Sequence, residues 1–295
     1  MNFRLQLPPG LTACTHSAMA TEFVFHLGGH EPDYLRQAAS EAFVLIDQIE
    51  ARLSFYRESS DVTRINRAPA CAEVAVNPDA LACLELAAEA ARLTGGAFDA
   101  FNGRAAVTAK NQQIPLYLVD APEPNDGDIP GPVVSLHPEV GLVKKLRAGP
   151  WLDLGALGKG YALDQVAAAF AEWDVTTGCL IAGGSSLRGL GGSGWLLEID
   201  EGKPPLNLSG DFCLGASGFQ FQPSHIIDSR SASPKSSTAC ALVLAPSAAL
   251  ADALSTAAML LDEEQLARLT RDQPGVASVV VDKIGQRYRH GAPFA

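Results

Sequence analysis

The residues best placed to do chemistry fall in two short segments. In the first, Leu152-Asp153-Leu154-Gly155-Ala156-Leu157-Gly158-Lys159-Gly160-Tyr161-Ala162-Leu163-Asp164, an apolar strand end passes through a glycine turn into a helix whose first turn carries a lysine. A cation there opposes the helix dipole and the unpaired N–H groups, so it points to an anion at the same place, most often a phosphate. On this segment alone Lys159 also reads as an ordinary solvated lysine. The second segment, residues 247–261, reads S-A-A-L-A-D-A-L-S-T-A-A-M-L-L, a helix apolar nearly all round. Its internal polar residues Asp252, Ser255 and Thr256 stand at i, i+3 and i+4 and share one face. A carboxylate on a buried helix is costly unless it is paired or bound to a metal. Beside two hydroxyls it forms a hard oxygen set suited to Mg2+. The competing reading has Asp252 accept from a neighbouring loop's N–H groups while Ser255 and Thr256 bond back to helix carbonyls.

Other motifs carry less. His225 precedes Ile226-Ile227-Asp228 with Arg230 beyond, and reads either as a packed residue or as a general base for a hydroxyl near phosphate. A Ser217–His225 hydrolase arrangement lacks the G-x-S-x-G elbow. Gly189-Leu190-Gly191-Gly192-Ser193-Gly194 matches G-x-G-x-x-G but leads into the strand-like Trp195-Leu196-Leu197-Glu198-Ile199, so it reads as a glycine-rich hairpin rather than a dinucleotide turn. Gly158-Lys159-Gly160 fails as a P-loop, with Asp153 at the first glycine position and no Ser or Thr after the lysine.

The elements that must position these residues follow from periodicity and caps. A strand is expected over 19–27, a long amphipathic helix over 33–56, a short helix from Ser60-Asp61 to Asn66, and a helix from Asn77-Pro78-Asp79 to Leu93 closed by Gly95-Gly96. Residues 102–131, rich in Pro, Asn, Asp and Gly, read as an irregular excursion or small subdomain within one domain spanning 1–295. A hairpin over 133–136 and 141–145 should lead into a strand at 151–154, then a helix over 158–173. Strands are expected at 179–182, 195–199, 212–216, 225–228 and 239–245, helices at 247–261 and 263–270, and a strand at 276–281 that closes the sheet. The fold class is therefore α+β, with a mixed, mostly antiparallel sheet packed with helices.

At 295 residues the chain can bury a substantial core. Its net charge of -11 leaves no basic footprint, which argues against nucleic acid and requires any polyanionic ligand to be held by local charges or a metal. The six cysteines form no C-x-x-C pair, so neither a zinc site nor a dithiol motif is indicated, and they read as reduced core thiols. Leu11-Thr12-Ala13-Cys14 resembles a lipoprotein cleavage site, but residues 1–10 lack the continuous apolar run of about 7–15 residues that a signal peptide needs. A cytoplasmic location without membrane insertion is expected, and the sequence assigns no oligomeric state.

Taken in order, several segments resemble the ApbE family, the FAD:protein FMN transferases. They are Met19-Ala20-Thr21, Leu53-Ser54-Phe55-Tyr56 with Ser60 and Ile65-Asn66, Thr94-Gly95-Gly96-Ala97-Phe98-Asp99, and the 152–164 segment. Ala182-Gly183-Gly184, Ser217-Gly218, His225-Ile226-Ile227-Asp228 and Ala251-Asp252-Ala253-Leu254-Ser255-Thr256 follow. The resemblance implies an ApbE-like fold and an FAD site lined by Met19, Tyr56, Ala97, Phe98, Asp99, Asp153, Lys159 and Ile227. It implies Mg2+ on the Ala156 carbonyl, Asp252 and Thr256 with Ser255 beside them, and His225 and Asp252 as catalytic residues. The implied reaction takes FAD as substrate, attaches FMN through its phosphate to a Thr or Ser hydroxyl of a target protein, and releases AMP. An FAD diphosphatase giving FMN and AMP, or a catalytically impaired flavin-binding relative, are the alternatives. Ser255 stands where many relatives carry a second Asp, Ser185 where they carry an Asp after the double glycine, and Ser229 where they carry a Pro.

Overall fold

The computed structural model describes residues 3–109, 113–122, 131–199, 204–218, 228, 230 and 238–294. In chain order the strands are β1 (Arg4–Gln6), β2 (Thr12–Ala18), β3 (Thr21–Gly28), β4 (Glu73–Ala75), β5 (Val134–His137), β6 (Leu142–Lys145), β7 (Thr177–Ala182), β8 (Ser186–Leu190), β9 (Trp195–Glu198), β10 (Leu206–Leu208), β11 (Phe212–Gly218), β12 (Thr238–Leu244), β13 (Ala277–Asp282) and β14 (Arg287–His290). The helices are α1 (Pro32–Leu53), α2 (Asp61–Arg67), α3 (Pro78–Leu93), α4 (Gly103–Ala109), α5 (Leu116–Val119), α6 (Gly158–Glu172), α7 (Ala248–Ala258) and α8 (Glu263–Asp272).

Among the described residues, eight strands form one antiparallel sheet in the order β14-β13-β12-β11-β8-β7-β3-β2. Alternation along its central strands sorts side chains between two cores, as a two-residue period requires. Cys213, Ala241, Val243 and Val280 face the helices and join α1, α3, α6 and α7 in the larger cluster. Their neighbours Phe212, Leu214, Leu242, Leu244 and Val279 face the other way, onto Trp195, Leu197 and Leu208 of a small β1-β9-β10 sheet. The big sheet is thus the middle layer of three, with helices on one face and a second sheet on the other. A third small sheet, β4-β6-β5, adds Val143 to the helical core.

The caps act as their residue types dictate. Ser60 accepts from the Thr63 N–H at the start of α2, Asn77 from the Asp79 N–H at the start of α3, and Asp262 closes a capping box with Gln265 on α8. Helix α3 ends in a Schellman motif: Gly95 and Gly96 take φ of 57° and 80°, and the Gly96 N–H reaches Ala91 O at 2.8 Å.

Five expectations need correction. Met19 is not in a strand: Met19 and Ala20, with φ of 51° and 57°, form the two-residue turn of the β2–β3 hairpin, whose twist calls for left-handed residues. The excursion at 102–131 carries two helices, α4 and α5, that bury Val107 and Leu118 in the main core. Residues 151–154 are extended but make no strand ladder. Asn66 takes the place of a partner strand, donating from Nδ2 to Leu152 O (2.9 Å) and accepting from Leu152 N at Oδ1 (2.7 Å). The glycine run 189–194 is not a hairpin, because β8 pairs with β7 and β11 while β9 pairs with β1 and β10; the chain changes sheets there. The large sheet is closed by the polar strand β14, beyond β13. No described helix is long and apolar enough to cross a membrane.

Candidate functional site

Helix α6 starts badly on its own. Its N-cap is Leu157, which has no side-chain acceptor for the unpaired N–H groups of the first turn. The Gly160 N–H is satisfied from elsewhere, by Asp252 Oδ2 of α7 at 2.9 Å. The reverse holds at the start of α7. Ser247 caps the Leu250 N–H, and the N–H groups of Ala248 and Ala249 donate to Asp164 Oδ1 (3.0 Å) and Oδ2 (2.9 Å) on α6. Each helix supplies the carboxylate that caps the other.

That exchange needs near contact of backbones. A Cβ on Gly160 would lie 2.1 Å from Ala248 O, and one on Gly215 of β11 would lie 2.2 Å from Ala251 O. Helix α7 is therefore held between α6 and the sheet by two glycines that permit the approach.

Around the buried Asp252 the polar groups converge. Oδ2 also accepts from Ser186 Oγ at 2.8 Å and lies 3.7 Å from Lys159 Nζ. Burial pushes the Asp252 carboxyl above its ordinary range; Lys159, the Ser186 hydroxyl and the Gly160 N–H pull it back. Ser255 and Thr256 donate to Asp252 O at 2.9 and 3.3 Å, the helix back-bonding of the competing reading of this motif. Yet the same hydroxyls also meet Ser217 Oγ of β11, at 2.9 Å from Ser255 Oγ and 3.3 Å from Thr256 Oγ1. The Ala156 carbonyl lies outside the α6 ladder, whose first bond runs from Tyr161 N–H to Leu157 O. Among the described residues no three His, Cys, Asp or Glu side chains gather into a metal centre. The carboxylate and hydroxyls gathered here are hard oxygen donors that fit a cation sharing its shell with phosphate oxygens, and the Ala156 carbonyl stands four residues before Gly160, whose N–H meets Asp252.

Met19 belongs to the same end of the large sheet. Its turn abuts the β7–β8 turn, where Gly183 donates to Glu22 O (2.9 Å) and a Cβ on Gly183 would lie 2.5 Å from Thr21 Oγ1. Ser186 begins β8 directly after that turn, and Ser217 lies near the end of β11.

Tyr56, Ala97, Phe98, Asp99 and Asp153 form a second group, joined to the first by the Asp153–Leu157 turn. The Asp153 N–H donates to Ala100 O (2.8 Å) and the Gly103 N–H to Trp151 O (2.9 Å), tying 97–103 to 151–153. The Phe55 ring packs against Tyr56 (5.3 Å between centroids) and Trp151 (6.1 Å). Tyr56 is half exposed, whereas Ala97 and Phe98 are buried. Asp99 accepts from Phe101 N–H and Asp153 from Gly155 N–H, each at 2.8 Å, so both carboxylates shape their own turns.

His225 and Ile227 lie outside the described residues, as does most of the strand expected at 225–228. The chain next to them is anchored: the Arg230 guanidinium donates to both Asp228 oxygens at 2.9 Å and to Leu260 O just beyond α7 at 3.0 Å. Those bonds hold the Asp228 carboxyl below its ordinary range.

Sequence reasoning missed Asp164 as a cap, Ser186 as a donor and Asn66 as a backbone clamp. Asp164 carried a usable signal, a carboxylate four residues beyond Gly160 on a mostly apolar helix, the pattern that singled out Asp252. Ser186 carried none, since one serine in a strand has no periodicity.

The comparisons with known proteins bear on the family and the fold. The sequence profile of the ApbE family matches residues 17–280. The FAD:protein FMN transferase of Treponema pallidum (strain Nichols) is 26% identical over 281 residues, 83% of this chain and 76% of that protein. The flavin transferase ApbE from Vibrio cholerae superposes with a TM-score of 0.77 at 19% identity, over 98% of this chain and 100% of that one. The ApbE protein of Thermotoga maritima gives a TM-score of 0.76 at 22% identity, over 95% and 97%.

Proposed function

The chain belongs to the ApbE family, and on that premise we propose that it is an FAD:protein FMN transferase. FMN is joined through its phosphate to a Ser or Thr hydroxyl of a target protein, and AMP is released. One observation carries the reading most directly: Lys159, in the first turn of α6, stands 3.7 Å from a buried carboxylate that is already satisfied by Gly160 and Ser186. The lysine is thus available to a second anion, and the diphosphate of FAD is an anion of that kind.

Phosphoryl transfer asks for little covalent machinery; it needs positioning and charge neutralisation. The acceptor oxygen bonds to the FMN phosphorus, the bond from that phosphorus to the bridging oxygen breaks, and AMP departs with the bridging oxygen. Lys159 offsets charge on the diphosphate. His225 accepts the proton of the acceptor hydroxyl in this scheme. Asp252, Thr256 and the Ala156 carbonyl would hold Mg2+, with Ser255 beside them. When bound there, Mg2+ supplies Lewis-acid charge to the phosphate oxygens. Met19, Tyr56, Ala97, Phe98, Asp99, Asp153 and Ile227 are assigned to the rest of FAD, with the half-exposed Tyr56 ring able to stack on one of its aromatic systems.

Incubation with FAD, Mg2+ and candidate acceptor proteins, followed by intact mass, tests the reading. An acceptor gaining the mass of FMN less water, with one AMP per transfer, is expected. Free FMN and AMP with no acceptor modified would make the chain a diphosphatase. Retained FAD without AMP in any divalent metal would make it a binding relative only.

A further inference from the structure

The carboxylate of Asp252 is held from two directions. Gly160 approaches Oδ2 from the start of a helix, and Ser186 approaches the same oxygen from the first residue of β8, an interior strand of the sheet. Ser186 is fully buried, and its backbone is fixed on both sides, opposite Ala182 of β7 and Gly215 of β11. The absence of a side chain at Gly215 lets α7 descend until Asp252 comes within reach of a side chain as short as serine. A serine hydroxyl fully buried in a strand needs a partner. The acceptor of Ser186 Oγ is Asp252 Oδ2.

Two donors on one oxygen set the rotation of the carboxylate about its last torsion, which is otherwise broad and two-fold. Among the described residues no donor meets Oδ1, the oxygen left to meet a cation. The two donors also leave Lys159 unneeded as a hydrogen-bond donor, and its 3.7 Å separation is longer than a hydrogen bond. Without Ser186, the lysine has reason to close on Oδ2, and the carboxylate has reason to turn.

We propose that Ser186 is a positioning residue that fixes Asp252 through Oδ2, reserving Oδ1 for the divalent cation and Lys159 for the substrate phosphate. This rests on the transferase reading for its ligands but not for its contacts.

The test is direct Mn2+ binding, read from the paramagnetic resonance of free Mn2+ with FAD present, beside thermal melting. Ser186→Ala should weaken Mn2+ about tenfold. Ser186→Thr, which keeps the hydroxyl, should return it to within about threefold of the unaltered protein, and Ser186→Cys, a weak donor of similar size, should fall between. If Ser186→Ala does not fold, the Thr and Cys variants carry the comparison. A lower melting temperature with unchanged Mn2+ affinity in the Ala or Cys variant overturns the proposal and leaves Ser186 a structural residue. Absence of Mn2+ binding by the unaltered protein overturns it as well. Failure of the unaltered protein to release AMP or modify an acceptor bears on the transferase reading alone, because the Mn2+ comparison reads binding and not turnover.

Discussion

At the scale of single residues, substitution can separate the acceptor role that Asp252 plays in the fold from the cation-binding role proposed for it. Asparagine keeps an oxygen for the Gly160 and Ser186 donors but removes the charge. Asp252→Asn should therefore melt within a few degrees of the unaltered protein while AMP release falls more than about 100-fold. Asp252→Ala should add a structural penalty of about 1–3 kcal/mol, since two buried donors lose their acceptor. Equal melting of the Asn and Ala variants would show that the cap contributes nothing. Lys145 gives a pH signature independent of the site. It is almost fully buried, with Nζ donating to Pro150 O at 3.1 Å, and burial together with the Arg147 charge lowers its pKa to about 8. Between about pH 8 and the ordinary lysine value of 10.5 the unfolded chain binds more protons at this position than the folded one, so this lysine makes stability rise with pH there. Lys145→Met should raise the melting temperature at pH 7 and flatten the rise between pH 8 and 10; a variant with the slope unchanged would assign the rise to other groups.

At the scale of elements, α6 and α7 behave as a pair. A methyl group on Gly160 has no room 2.1 Å from a carbonyl oxygen, and the backbone cannot yield without pulling Asp252 from its cap. Gly160→Ala should destabilise by about 1–3 kcal/mol or more as overpacking, measured by chemical denaturation, and should also weaken FAD binding. Asp164→Ala should cost about 2 kcal/mol through the stranded Ala248 and Ala249 N–H groups, although Asp164 is assigned no contact with substrate. Wild-type stability in both variants would rule out the mutual caps as a source of stability. Much at this scale was legible in the sequence. The triad of α7 announced itself because an almost wholly apolar helix makes three polar residues conspicuous, and Ser60, Asn77 and the Gly95-Gly96 pair marked their helix ends by local chemistry. What escaped was decided by distant partners. Leu152 and Asp153 look like strand residues, but Asn66 takes the Leu152 backbone and Ala100 O accepts from the Asp153 N–H, partners far away in sequence. Glycines 191, 192 and 194 signalled a turn but not that the strands on either side join different sheets. Arg287–His290 escaped because an edge strand of charged and polar residues lacks the apolar alternation that marks a strand from sequence.

At the scale of the whole molecule, the three layers separate stability from chemistry. The β1-β9-β10 sheet covers the face of the large sheet turned away from α6 and α7. A variant beginning at Pro8 loses β1 and exposes the edge of β9, so its melting temperature should drop by several degrees. Its FAD affinity should stay within about twofold, because every described residue assigned to FAD lies outside that layer. A parallel loss of FAD binding would mean that the layers are not independent. The mutual capping of α6 and α7 has one more consequence, which concerns time rather than energy. The acceptor for the Gly160 N–H is 92 residues further along the chain. At about 5–20 residues per second of synthesis, roughly 5–20 s pass after Gly160 is made before Asp252 exists. Until then the turn that presents Lys159 waits with an open end, so on the ribosome the part of the molecule proposed to face phosphate is among the last to take shape.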